Sequence, residues 1–258
     1  MKDNSIYLYR ALRAEIIKIK NTLGLWSALI FPLFIVFMNF MIFLSRPQML
    51  ATAKGNLWIH YTNNSMMMWS ILFMPLFIGI ITFYINFNEH KNNVWRHVYS
   101  LPIPKISVYT AKYLISILIV AATMVFFYFI NYLSMKMLAA FRPEIPFGRY
   151  VITSILPLSF LKVMLASIGI ISIQFVVSII FQNFVLPLGF SVLATLTSAF
   201  LLRWENIVYY PYAYPFFAAQ DLVKNDGWVF INPVLFSIAC SAAVATIGYV
   251  IHSRMRVK

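Results

Sequence analysis

The chain has 258 residues, of which 62% are hydrophobic and only 10% charged, against a soluble norm of roughly 45–50% apolar and about 25% charged. Its charge is lopsided, with 20 Lys+Arg against 7 Asp+Glu and a formal net charge of +13. A soluble enzyme, a disordered protein and a free nucleic-acid binder are excluded by this balance, because a water-covered surface of this size needs more charge; the sequence reads as an all-α integral membrane protein whose cations orient its spans and touch anionic lipid.

The first patterned segment is about 5–22. Leu8, Tyr9, Leu12, Ile16, Ile19 and Leu23 recur at helical spacing, while Arg10, Arg13, Lys18 and Lys20 take the rest of the surface. This predicts an amphipathic helix in the membrane interface, apolar stripe in lipid and cations near headgroups. Packing on the protein's own cytoplasmic face is the alternative. The interfacial reading is preferred because no soluble domain offers a surface to pack on.

Six apolar stretches then match the ~20 residues of a spanning helix: 23–44, 66–87, 113–133, 163–181, 184–202 and 233–251. Ala51-Thr52-Ala53 has the form of a signal cleavage site, but the run before it is longer than the ~7–15 residues of a signal core, so an uncleaved span is expected. Pro75 falls inside the second span. Gln182 and Asn183 make a minimal turn between the fourth and fifth. Cys240 is the single cysteine and sits in an apolar run, which excludes an intrachain disulfide.

Six spans place both termini on one side. That side holds Lys2, Arg10, Arg13, Lys18, Lys20, Lys91, Arg96, Lys105, Lys112, Arg254, Arg256 and Lys258. The other holds Arg46, Lys54, Lys136, Arg142, Arg149, Lys162, Arg203 and Lys224. The richer side is expected to be cytoplasmic.

The connection after the second span, about 89–104, mixes charge with aromatics. Val94, Trp95, Val98 and Leu101 fit one face of a short helix that Pro102 and Pro104 stop. A docking surface and an ordinary juxtamembrane helix, held by Trp95 and Arg96, fit this pattern equally. The last connection, 203–232, carries nine Trp, Tyr and Phe residues and two prolines, Pro211 and Pro215. It is expected to form broken helices dipping into the outer interface.

The sequence contains no phosphate loop, H-E-x-x-H or G-x-S-x-G motif. The predicted span interiors hold no Asp, Glu, Arg or Lys, with Lys162 at the outer end of the fourth span, able to snorkel. This argues against a proton-driven carrier. Asn39, Asn131 and Gln174 are the larger polar groups inside. They can bond between helices, the commoner role, or face a substrate path.

In order, these features resemble the permease subunits of ABC-2-type transporters, especially the lantibiotic-immunity and bacitracin-export-like branch. The similar phrases are Ala14-Glu15-Ile16-Ile17-Lys18-Ile19-Lys20, Ser100-Leu101-Pro102 and Tyr210-Pro211-Tyr212-Ala213-Tyr214-Pro215. The resemblance covers essentially the whole chain as one transmembrane permease domain, 1–258, of a bacterial plasma membrane. It implies an N-terminal elbow helix and re-entrant external helices in 203–232. It also implies a coupling helix within 89–104, with Trp95 and Leu101 entering a groove on a separate ABC ATPase, Glu89 or Arg96 at the rim, and Pro102 ending the motif. Two permease chains, identical or different, would pair, with the substrate route between them. ATP and Mg would be bound by the ATPase, and no cofactor by this chain. The expected role is non-enzymatic export of an amphipathic substrate such as an antimicrobial peptide or drug. A membrane-embedded lipid-modifying enzyme would need a nucleophile, acid or metal cluster at membrane depth, which the sequence lacks. A scaffold or receptor would share the docking loop without a path between copies.

Overall fold

The computed structural model describes residues 2–20, 22–52, 55–91, 104–150, 155–181, 183–224 and 228–254, apart from the side chains of 2–5, 51, 88–91, 223 and 224. Every element among them is helical. Besides three short 3-10 turns, these are in chain order α1 Lys2–Ile19, α2 Leu23–Ser45, α3 Gln48–Ala51, α4 Leu57–Met68, a π-helical turn Trp69–Phe73, α5 Met74–Lys91, α6 Lys105–Phe141, α7 Ile155–Ile180, α8 Val185–Phe200, α9 Tyr214–Lys224 and α10 Asn232–Arg254.

Local chemistry sets several boundaries. Thr22 sits before α2 in extended conformation, and its hydroxyl accepts from the Leu25 N–H at 3.4 Å. Asn56 does the same for α4, accepting from the Trp58 N–H at 3.0 Å. Such caps satisfy N–H groups that the first helical turn leaves without partners. Pro75 follows the π-helical turn, where the Met74 N–H reaches back to the Trp69 carbonyl. A proline ring crowds the carbonyl four residues earlier, and a widened turn just before it gives that carbonyl room. The helix therefore continues from α4 through the π turn into α5 instead of ending.

Among the described residues, five helical stretches are long and apolar enough to cross a membrane: Leu23–Ser45, Leu57–Phe87, Lys105–Phe141, Ile155–Ile180 and Asn232–Arg254. The expected fifth span, 184–202, is α8. Its 16 residues rise about 24 Å, less than a hydrocarbon core of about 30 Å. The second span starts nine residues before the expected Met66, at Leu57. Its polar first turns, His60 to Ser65, read as a connection because the partners of Thr62, Asn64 and Ser65 lie on other helices. The third is longer at both ends than 113–133, and the fourth begins at Ile155, not 163. In both cases a lysine, Lys112 or Lys162, had marked the edge of the apolar run.

α7 lies at the centre, two thirds buried, and packs chiefly on α10 and α9 and then on α5 and α6. Small residues allow close approach between membrane helices. At the α7–α10 crossing, the Ser237 hydroxyl donates to the Leu165 carbonyl at 3.1 Å and accepts from the Gly169 N–H at 2.8 Å. The segment 203–224 forms two 3-10 turns, Glu205–Tyr209 and Pro211–Ala213, followed by α9. Tyr212, Tyr214, Ala218, Ala219 and Leu222 are buried there against the bundle. α2, α6, α8 and α10 keep apolar faces exposed, including Leu33, Phe37, Leu133, Leu193 and Ile247.

Candidate functional site

At the N-terminal end of the bundle, three helices meet at one buried cation. Lys112 of α6 is 1% exposed. Its ammonium donates to Glu15 Oε2 of α1 at 2.9 Å and to the Ile85 carbonyl of α5 at 2.8 Å. The other Glu15 oxygen accepts from Lys18 at 2.8 Å. A charge this far from water needs both a counter-ion and hydrogen bonds, and Lys112 has them. The same end carries further ties: Lys105 donates to the Ser253 carbonyl at 3.2 Å, and the Tyr109 hydroxyl to the Ala245 carbonyl at 2.8 Å. α1, α5, α6 and α10 are thus held together where α5 leads into residues 92–103.

These contacts correct two expectations. Lys112 is not a residue of a cytoplasmic connection but lies inside a long apolar helix. The stripe of α1 is also divided. Leu8 and Leu12 are half-buried and Glu15 and Ile19 buried toward the bundle, whereas Tyr9 and Ile16 face outward with Ile6, Ile17, Arg10, Arg13 and Lys20. The helix packs on the protein's own α6, since burying Glu15 against Lys112 requires that face, and it still presents an apolar and cationic outer face. Lys18 is partly exposed beside Glu15.

The predicted coupling residues fall at the margin of what is described. Glu89 belongs to α5 by its backbone, with its side chain outside the described set. Trp95, Arg96, Leu101 and Pro102 lie outside the described residues.

Asn39 and Asn131 belong to one buried polar cluster between α2, α4 and α6. Asn39 donates to the Tyr61 carbonyl at 3.3 Å and accepts from the Asn64 amide at 2.7 Å. The Tyr61 hydroxyl is hydrogen-bonded to Ser134. The Ser65 hydroxyl donates to Asn131 Oδ1 at 2.6 Å, and the Asn131 amide donates to the Phe127 carbonyl at 3.0 Å. Gln174 is not part of this group. Its amide donates to the Tyr212 hydroxyl at 2.6 Å, while its Oε1 is buried without a partner. Burial holds the Tyr212 phenol above its ordinary range, with the Gln174 bond opposing, and pushes the nearby Tyr214 up to about 12. Both remain neutral hydrogen-bonding groups at physiological pH. Within a single chain, Asn39, Asn131 and Gln174 all face neighbouring helices.

Sequence reasoning missed a second buried pair. Lys162 of α7, expected to snorkel outward, is 2% exposed and donates to Asp221 of α9. Its signal was faint: one lysine at the edge of an apolar run and one acid 59 residues later. Arg142, at the end of α6, donates to the Leu44 carbonyl at 3.2 and 2.7 Å and pairs with Glu144 at 3.2 Å. Among the described residues, no group of three or more His, Cys, Asp or Glu is placed to hold a metal ion.

No curated protein matches the chain, and no solved structure matches it. The family model described as ABC-2 family transporter protein matches residues 11–198. That match takes in the second half of α1, α2 to α7 and all but the end of α8, well over half of the 258 residues. Together with five helices long and apolar enough to cross a membrane, it identifies the chain as a multi-pass membrane protein that belongs to the ABC-2 family of transporter proteins.

Proposed function

We propose that the chain is the membrane-spanning permease subunit of an exporter that takes its energy from ATP hydrolysed, with Mg, by a separate ABC ATPase. The observation that carries this reading is the family match over residues 11–198. Permeases of this family normally work with an ATPase partner in the membrane, and the chain has no phosphate loop of its own. α1 acts as the elbow helix, its outer Arg10, Arg13 and Lys20, with Lys18 at the edge, meeting lipid headgroups. Residues 89–104 include the coupling helix. The Lys112 tie to Glu15 and Ile85 supports a mechanical role, because it makes α1, α5 and α6 move together. Two permease chains pair, with the substrate route between them and Asn39, Asn131 and Gln174 as candidate path residues once the helices rearrange. The substrate is amphipathic, a membrane-active peptide or drug, as in the lantibiotic-immunity and bacitracin-export-like branch. Both termini face the cytoplasm of a bacterial plasma membrane, and residues 203–232 form the external re-entrant element.

The test is at the coupling segment. Buried aromatic anchors commonly cost about 2 kcal/mol or more on truncation, and rim charges less. Trp95→Ala should therefore reduce co-purification of the ATPase or uncouple its hydrolysis from export, and Arg96→Ala should do less. An interfacial anchor would instead leave ATPase binding and export normal. If Trp95→Ala, Leu101→Ala and their combination all retain wild-type pull-down and cell protection at matched expression, this segment is not the coupling element.

A further inference from the structure

A groove of about 320 Å³ opens along the seam of α2 and α6, lined by Leu33, Phe37, Met41, Ile130, Leu133 and Met137 among others. These side chains are apolar. Ser134, the hydroxyl in the wall, is already hydrogen-bonded to Tyr61. A second apolar groove of about 300 Å³, between Leu25 and Leu29 of α2 and Ile119 and Phe126 of α6, continues the same seam toward the N-terminal end. On both helices the lining positions step by three or four residues, so the two grooves follow one face. From Leu25 to Met41 the seam runs about 24 Å along the helix axis.

The C-terminal end of the seam carries two arginines. Arg46 follows the end of α2 and is exposed, and Arg142 follows the end of α6. Arg142 is fixed there by its two bonds to the Leu44 carbonyl and by exposed Glu144. Each arginine lies five residues beyond the groove's last lining residue on its helix, about 7.5 Å of rise. Two cations at the end of an apolar channel complement an anionic headgroup. A second helix is the poorer occupant, because close helix packing in membranes uses small residues, whereas this wall is built of Leu, Phe, Ile and Met.

We propose that the α2–α6 seam is a binding site for one anionic phospholipid of the leaflet that receives the C-terminal ends of α2 and α6. One acyl chain lies between Leu33 and Met137, and the phosphate sits at Arg46 and Arg142. The site needs only that the chain be embedded in a bilayer and is independent of what it transports.

The full-length chain purified in mild detergent, given phosphatidylglycerol or phosphatidylcholine of identical acyl chains, reports this directly by native mass spectrometry. Wild type should retain one phosphatidylglycerol per chain in preference to phosphatidylcholine. Arg46→Gln should lower that preference about fivefold, the worth of one arginine near a lipid phosphate. Leu133→Trp fills the groove from an exposed position and should reduce retention of both lipids. Phe200→Trp, on the exposed face of α8, should change neither. Equal retention of the two lipids by wild type would overturn the proposal, as would wild-type retention by both Arg46→Gln and Leu133→Trp. A Leu133→Trp chain that keeps its lipid but loses a dimer seen in wild type would assign the seam to a second copy instead.

Discussion

Lys112 and Lys162 are the residues whose roles changed most between sequence and structure. Each sits at the edge of an apolar run, where a lysine reads as the end of a span, and each is instead inside a helix with a carboxylate on a distant element. Local pattern carries no trace of Glu15 97 residues away from Lys112, so the pair became visible only when α1 was seen to pack on α6. Asn39 and Asn131, by contrast, were legible as interior polar groups that bond between helices, since an uncharged amide in an apolar run needs a partner wherever the run goes. The buried pair yields a stability prediction. Removing Glu15 takes away the carboxylate that the buried Lys112 pairs with, at a cost of about 3–5 kcal/mol, whereas removing Lys112 leaves Glu15 its bond to Lys18, and replacing both with apolar or neutral groups of similar size is far milder. Glu15→Gln should lower the thermal unfolding midpoint in detergent sharply. Glu15→Gln combined with Lys112→Met should restore most of it. Equal loss in the single and double variants would show that packing at this site, and not charge pairing, holds α1 in place.

Helices such as α2 and α10 were legible because each is an apolar run about as long as one bilayer crossing. α4 was not, because His60, Thr62, Asn63, Asn64 and Ser65 make its first turns polar, and the partners of Thr62, Asn64 and Ser65 lie on α2 and α6. Nor does sequence say that Pro75 would be absorbed by a π turn rather than by a kink or a break. That accommodation has a packing consequence: the Pro75 carbonyl accepts from the Ser191 hydroxyl of α8 at 3.0 Å, one turn from Gly79. A Cβ on Gly79 would lie 2.7 Å from Ser191 Oγ and 2.8 Å from its Cβ. Overpacking of this kind costs roughly 1–3 kcal/mol. Gly79→Ala should therefore destabilise the α5–α8 contact, read as a lower unfolding midpoint, and Ser191→Gly in the same chain should recover part of the loss. An unchanged midpoint for Gly79→Ala would mean that α8 shifts freely against α5.

For the whole molecule, composition made membrane embedding legible, and the order of features made the ABC-2 family legible. The count of full-length spans was less so, because α8 is apolar but short. Topology rests on the excess of basic residues at the N-terminal end, which predicts that this end is cytoplasmic. In a Cys240→Ser background, Glu144→Cys at the exposed far end should react with a membrane-impermeant thiol reagent in intact cells, and Lys20→Cys only after lysis; the reverse pattern would invert the orientation. As proposed, this chain moves substrate with energy supplied by another subunit. The most direct measurement is ATP hydrolysis by the chain purified alone, and by the complex recovered through a tag on it from native membranes. The proposed division of labour predicts no hydrolysis above background for the chain alone. It predicts a co-purifying ABC ATPase whose hydrolysis is abolished when its own phosphate-loop lysine is replaced. Hydrolysis by the isolated chain, with contamination excluded, or recovery of the chain from cross-linked membranes without any nucleotide-binding partner, would contradict it.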